Sequence, residues 1–210
     1  IYNNLSDDGV GLVTVPNLNY LLNTKSFYEF VADHLSYFTI ETLKNAFYEG
    51  NFDVLDCSLI NNENDILIIV KKNKNKVIKK KINFKKINLK NDYDEVDKLI
   101  TNLKDIIKDY KKKDKKVAVW GAGHRTLALL ALSELQDIEF IVDSAKFKQG
   151  MYSPVINTKI VSPDTLKEGK IDLLIIMVPG IYPDEVIKSV KQMNIDIRIA
   201  KLKDNIIEYI

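Results

Sequence analysis

The feature that most constrains the fold is an apolar strand followed at once by a glycine turn and a helix. Residues 116–126 have the sequence KVAVWGAGHRT, and the strand ends at Trp120. Gly121 and Gly123 allow backbone N–H groups to approach an anion, and the dipole of the following helix favours negative charge there. The stretch therefore predicts a phosphate- or nucleotide-binding turn.

Strands and helices alternate from this turn to the end of the chain. The pattern predicts strands at 117–120, 138–142, 171–178 and 195–200, and helices at 126–135, 164–168 and 184–193. Such alternation is typical of a parallel sheet with helical crossovers. The predicted fold class is α/β, with a Rossmann-like C-terminal domain of mainly parallel sheet over residues 116–210.

The first part of the chain has a different organisation. A strand at 10–15 is followed by a loop at 17–38 with short helical pieces, then by a helix over 40–49 that Thr39 caps and Gly50 ends. Strands at 52–59 and 66–71 with a polar turn between them predict an antiparallel hairpin. Residues 1–72 are predicted to form one region.

A lysine-rich stretch at 71–86 separates the two patterns and marks the predicted domain boundary. An amphipathic helix is predicted over 92–110, with acidic residues at its start and lysines at its end. Residues 73–115 are thus predicted to be a linker with one helix.

Composition excludes several classes of protein. The net charge is +2, which favours neither a nucleic-acid nor a membrane partner, and a single cysteine, Cys57, excludes an internal disulfide framework and a CxxC metal site. No signal peptide is visible, and no apolar run reaches the ~18 residues of a membrane span. We predict a cytoplasmic protein and no metal ligands in this chain.

The glycine turn partly matches a dinucleotide-binding fingerprint. Thr126 stands where a third glycine is expected, and Asp143 lies 22 residues after Gly121, near the position of a ribose-binding acid. An NAD-dependent oxidoreductase and a tight turn that binds nothing both remain open. His124 and Arg125 argue against the empty turn, because two cationic donors at a helix N-terminus are unfavourable unless an anion lies between them.

Two further loops are predicted at the same edge of the sheet, where ligands of open α/β sheets bind. Lys148 and Tyr152 belong to the loop after the second strand, and Tyr182 to the loop after the third. We predict that these residues help to bind a phosphate or a base, although Tyr182 is equally compatible with packing.

The other histidine, His34, is a candidate general base. A neutral imidazole near pH 7 suits that role, and a neighbouring carboxylate or hydroxyl can orient it, for which Asp33, Glu29 and Tyr37 are candidates. A purely structural role for His34 also remains open. Metal binding is less favoured, since no second His or Cys lies at ligand spacing.

Several long strings in the chain resemble one known family. They are VPNLNYLL, EFVADHLSYFT, ETLKNAFYEGNFDVL, VAVWGAGHRTLALLAL, IVDSAKFKQGMYSPV, IVSPDTL and IIMVPGIYPDEV. They resemble the C-terminal part of the S-adenosylmethionine-dependent sugar C-methyltransferases, which methylate a nucleotide-linked keto-deoxysugar.

The resemblance implies a domain order and a set of site residues. Residues 1–72 would end a class I methyltransferase domain that binds S-adenosylmethionine, and 116–210 would form the C-terminal domain that helps to hold a nucleotide-diphosphate sugar. The family's base is a histidine preceded by an acidic residue, which implies His34 with Asp33. An aromatic hydroxyl that the family usually has a few residues earlier is not matched, since Val31 stands two residues before Asp33; Tyr28 or Tyr37 would substitute.

The implied reaction begins when His34 removes the proton beside the keto group, and the enolate then takes the methyl group. The family's glycine-rich donor loop and its cysteine-rich zinc region have no counterpart in this sequence, which begins at Ile1. We therefore expect a fragment that is inactive in methyl transfer on its own. A non-catalytic module that binds a nucleotide sugar is a further alternative.

Overall fold

The computed structural model describes residues 1–73, 94–154, 156–168 and 170–210. They form two compact units, one from the described residues of Ile1–Asn23 and Val31–Leu89, the other from those of Thr24–Phe30 and Lys90–Ile210. Most of the predicted lysine-rich boundary, residues 74–86, lies outside the described residues. The predicted division at 73 and 115 stays a prediction.

The first unit is built on a three-stranded antiparallel sheet. The sheet contains β1 (Val10–Pro16), β2 (Phe52–Ile60) and β3 (Asp65–Lys72) in the order β1-β3-β2, and its helices are α1 (Leu18–Asn23) and α2 (Ile40–Glu49). The predicted strand, the capped helix and the antiparallel hairpin are confirmed. The predicted helical pieces in the loop are also confirmed, as α1 and a 3₁₀ turn at Phe27–Glu29.

Alternation along β3 creates the core of this unit. Ile66, Ile68 and Val70 are fully buried and pack with Leu43 of α2 and Phe52 of β2. Cys57 lies in β2, as expected of a small apolar residue. Burial raises the pKa of its thiol, with a smaller lowering effect from Lys44 and a smaller raising effect from Asp56.

The second unit contains a six-stranded, mostly parallel sheet. Its elements are α3 (Asp94–Lys112), β4 (Val117–Trp120), α4 (His124–Leu132), β5 (Ile141–Val142), β6 (Ile160–Val161), α5 (Thr165–Glu168), β7 (Leu173–Ile176), α6 (Tyr182–Gln192), β8 (Arg198–Lys203) and β9 (Ile206–Tyr209). The order is β6-β5-β4-β7-β8-β9, with β9 alone antiparallel to its neighbour. The predicted α/β class with a mainly parallel sheet is confirmed.

Both faces of this sheet are covered. Every residue of β4 and β7 is buried, as a strand at the centre of a parallel sheet requires. On one face, Ala118 and Leu174 pack in a cluster with Leu166 of α5 and Ile187 of α6. In the described part of the chain, no helix is both long enough and apolar enough to cross a membrane.

Some boundaries differ from the prediction. Helix α4 begins at His124 rather than 126, because Gly123 is extended and serves as its N-cap, and it ends at Leu132. Strands β6 and β9 were not predicted: β6 has two residues, too few for a periodic pattern, and β9 follows β8 through a turn at Asp204 and Asn205, both with positive φ.

Candidate functional site

The glycine turn lies at the point of the sheet where the strand order reverses. The chain leaves β4 towards β5 and β6 on one side and returns to β7 and β8 on the other. Between β4 and β7 the crossovers depart in opposite directions, which opens a crevice at the carboxyl ends of the strands. Residues 121–123 directly follow β4, so the turn lies at this crevice.

Gly121 is required by the backbone of the turn. Its φ is +112°, which side-chain-bearing residues rarely adopt, and a Cβ built there would lie 2.7 Å from Val178 Cγ1. Its N–H donates to the Val142 carbonyl at 2.8 Å. The loops after β4 and β7 therefore meet closely at this glycine.

At Gly123 the backbone does not require glycine, and the lack of a side chain instead leaves space at the start of α4. As the N-cap of α4 it has φ −99° and ψ 172°, extended values that any residue adopts, and no side chain of the described residues caps the helix there. A Cβ built on Gly123 would have no neighbour within 4 Å among those residues. The start of α4 is thus open to a ligand, and the helix dipole favours an anion there.

Asp143 braces the turn from the neighbouring loop. Its Oδ2 accepts the Ala122 N–H at 2.8 Å, and its Oδ1 accepts the Ala145 N–H at 2.8 Å. Lys148 Nζ lies 3.2 Å from Asp143 Oδ2 and donates to the Ala122 carbonyl at 3.0 Å. Both carboxylate oxygens thus hold protein donors, and the predicted ligand-binding roles of Asp143 and Lys148 stay predictions.

A buried carboxylate lies against the first turn of α4. Glu29, at the end of the 3₁₀ turn Phe27–Glu29, is only 7% exposed. Its Oε2 lies 3.2 Å from His124 Nε2, and its Oε1 lies 3.5 Å from Arg125 Nε. Arg125 Nη2 also donates to the Tyr28 hydroxyl at 3.1 Å, with the guanidinium carbon 5.7 Å from the centre of the Tyr28 ring.

This arrangement changes the inference that His124 and Arg125 need an anionic ligand between them. The two cations were expected to need an anionic ligand, and the structure supplies a protein anion, Glu29, close to both. Arg125 is 5% exposed, whereas half of the His124 side chain is exposed. His124 is therefore the side chain of the pair that can reach a ligand, and a diphosphate contact by Arg125 stays a prediction.

Sequence reasoning did not find the contact between Glu29 and His124. These residues are 95 positions apart, and the sequence suggested Glu29 as a partner of His34. That suggested role stays a prediction, while the contacts described for Glu29 join it to His124 and Arg125. The signal available in the sequence was a glutamate inside an aromatic run, because such a run favours burial and a buried carboxylate needs a partner.

The two predicted tyrosines lie at different places in the second unit. Tyr182 follows the carboxyl end of β7, whereas Tyr152 lies beside the amino end of β6, so the predicted convergence of their loops on one edge is not observed. Tyr152 is exposed on the loop after β5 and forms an isolated bridge with Lys159. Tyr182 is the first residue of α6 and is half exposed. Their contacts with a ligand stay predictions.

In the first unit, His34 and Asp33 are exposed residues of the loop before α2. The His34 N–H donates to the Val31 carbonyl at 3.1 Å, and the Val31 N–H donates to the Tyr37 hydroxyl at 2.9 Å. The His34 and Tyr37 rings lie 6.0 Å apart between centroids, tilted by 59°. Two of the predicted catalytic side chains are thus neighbours in a short, turn-stabilised loop.

Fold and site together define an α/β protein with an uncapped helix start at the point where the strand order of its sheet reverses. The profile of the C-methyltransferase C-terminal domain family matches residues 63–196, well over half of the chain. The chain belongs to this family, which supports a role in C-methyl transfer and confirms the resemblance at that level. No curated protein sequence matches the chain.

Proposed function

We propose that this chain is the C-terminal portion of an S-adenosylmethionine-dependent C-methyltransferase that acts on a nucleotide-linked keto-deoxysugar. Family membership supports the transfer of a methyl group to carbon. Counted from β4, the six strands have the order 3-2-1-4-5-6 of dinucleotide-binding folds. That order supports a Rossmann-like domain with its ligand at the crevice beside β4.

The observation that carries the proposal is the open start of α4. Gly123 leaves space at the N-terminal N–H groups, and His124 stands half exposed beside them. A diphosphate suits this combination of backbone donors, helix dipole and imidazole. We assign Gly121, Gly123 and His124 to the diphosphate, and Tyr182, which follows the carboxyl end of β7, to the sugar or the base.

The contacts of Asp143 favour this ligand over a nicotinamide dinucleotide. A ribose-binding acid must accept hydrogen bonds from the ribose hydroxyls. Both oxygens of Asp143 already accept protein donors, from Ala122, Ala145 and Lys148. The proposal therefore gives Asp143 the role of holding the turn in shape.

His34 is proposed as the general base. The keto group acidifies the proton on the adjacent carbon, and His34 would accept that proton as the enolate forms. Its exposed position gives it access to a substrate, and Tyr37 and Asp33 are the neighbours proposed to orient it. Glu29, through His124, would orient the substrate rather than the base.

The described residues of the first unit do not include a glycine-rich loop suited to the methyl donor. Its glycines do not form a strand-to-helix turn: Gly9 is in a surface turn, Gly11 is inside β1, and Gly50 ends α2. These glycines do not fit a donor-binding loop.

The experiment that tests the proposal compares binding with turnover. We expect calorimetric titration to detect binding of thymidine diphosphate, and the His34→Ala variant to bind it unchanged. In an assay of methyl transfer to a nucleotide-linked keto-deoxysugar by the full-length protein, His34→Ala should lower turnover by about 10²- to 10⁴-fold.

The matched control is Asp7→Asn, an exposed carboxylate of the first unit, which should change neither quantity. NADH binding much tighter than that of thymidine diphosphate would support the oxidoreductase instead. Unchanged turnover in His34→Ala would show that His34 is not the general base.

A further inference from the structure

One asparagine at the tip of the β8–β9 hairpin holds the segment that carries Glu29. Asn205 is 8% exposed and has φ +62°, in the left-handed region that asparagine tolerates. Its Nδ2 donates to the Thr24 carbonyl at 3.0 Å and to the Lys25 carbonyl at 3.0 Å. One side chain thus binds two consecutive carbonyls of a segment 180 residues earlier in the chain.

The two acceptors determine how the amide is oriented. A carbonyl oxygen only accepts, so a flipped amide would place its own oxygen against two others and lose both bonds. The Lys25 carbonyl also accepts the Phe27 N–H at 2.9 Å, which begins the 3₁₀ turn. The asparagine therefore holds the backbone where that turn starts.

From this point, hydrogen bonds continue to the start of α4. The Glu29 N–H donates to the Ser26 carbonyl at 2.9 Å, and the Tyr28 hydroxyl donates to Ser26 Oγ at 3.3 Å. Ser26, only 1% exposed, also lies 2.8 Å from the Thr24 hydroxyl between their oxygens. Tyr28 and Glu29 then contact Arg125 and His124.

We propose that Asn205 is a positioning residue for the α4 anion site: it sets the position of Glu29, and through Glu29 the orientation of the His124 imidazole. The anion-binding part rests on the proposed function, whereas the effect on His124 does not. A loop residue joined to a second loop by two partly buried hydrogen bonds transmits a change in one to the other. Loss of the Asn205 amide should therefore alter His124.

The test uses the whole chain, which contains only two histidines. The imidazole ¹⁵N–¹H correlations of His34 and His124 are assigned with His34→Gln and His124→Gln. Asn205→Asp keeps the shape and the left-handed backbone but replaces the donor with a carboxylate facing two carbonyls. We expect the His124 resonances to shift and the dissociation constant for inorganic pyrophosphate to rise on the order of tenfold.

Asn194→Asp is the matched control, because Asn194 is an exposed asparagine with φ +52° in the same unit. It should leave His124 and pyrophosphate binding unchanged. Asn205→Gly, which keeps the backbone conformation and removes the amide, should shift His124 in the same way and serves if Asn205→Asp does not fold. If Asn205→Gly and Asn194→Asp have equal melting temperatures, a shift of His124 in Asn205→Gly alone results from lost positioning and not from a general loss of stability.

The outcomes distinguish the two proposals. If the unaltered chain does not bind pyrophosphate but Asn205→Gly still shifts His124, the proposed function fails and the positioning role stands. If the unaltered chain binds and the Asn205 variants leave both His124 and affinity unchanged, the positioning role is wrong. The same changes in Asn194→Asp would also overturn it.

Discussion

Helices α2 and α4 have nearly the same length, 10 and 9 residues, but their N-termini differ. Thr39 caps α2: its Oγ1 accepts the Thr42 N–H at 3.2 Å, while Thr42 Oγ1 accepts the Thr39 N–H at 2.8 Å. At α4 the N-cap is Gly123, and the polar groups near the first turn come from the distant Glu29 rather than from a cap.

The difference separates two uses of a helix start. A capped start satisfies its N–H groups with its own side chains, which stabilises the helix and leaves little for a ligand. An uncapped start is less stable by itself and keeps donors at the surface. In α4 that surface lies where the strand order of the parallel sheet reverses, whereas α2 belongs to the unit with the antiparallel sheet.

The largest expected effect concerns Gly121, which lies two positions before the N-cap of α4; Tyr37 has the same place before α2. Gly121→Ala should destabilise the second unit by about 2–4 kcal/mol, from a strained backbone and from contact with Val178. Urea denaturation followed by the fluorescence of Trp120, the single tryptophan, measures this change.

Gly123→Ala is the control for that variant. Its φ of −99° imposes no strain and its Cβ would contact nothing described, so we expect less than about 1 kcal/mol. Equal losses in the two alanine variants would mean that the glycines do not differ in the way their geometry indicates.

Local chemistry made one of these helix starts predictable. Thr39 before an apolar periodic run and Gly50 after it predict both ends of α2, because the capping partners are three residues apart. The glycine turn before α4 and its place at the edge of the sheet also follow from short sequence patterns. The mostly parallel order follows from the alternation of strands and helices.

The surroundings of the start of α4 were predictable only in part, because long-range contacts form them. Glu29 and Asn205 reach the same cluster from opposite ends of the chain, and no local pattern links either to α4. A cation pair at a helix start indicated a compensating anion but did not distinguish a ligand from a buried carboxylate. For His34, the neighbouring Tyr37 was within reach of sequence reasoning because both lie in one short loop.

A smaller effect is expected when the cap of α2 is removed. Thr39→Ala should destabilise α2 by about 1 kcal/mol, because the Thr42 N–H loses its acceptor. Hydrogen exchange at the Leu43 amide, which donates to the Thr39 carbonyl, reports this loss locally. Pyrophosphate binding should not change, and a weakened affinity would contradict the separation of the two helix starts.

The smallest change in stability, and the sharpest test of the comparison, is to give α4 the kind of cap that α2 has. Gly123→Ser is compatible with the extended backbone of the N-cap, and its hydroxyl can accept an N–H of the first turn. The second unit should gain a few tenths of a kcal/mol by Trp120 fluorescence. Pyrophosphate affinity should fall about fivefold, because the hydroxyl competes for the donors that the anion needs. Stability and binding thus change in opposite directions only if the open start of α4 is kept for a ligand, and a variant that gains both would show that the anion binds elsewhere.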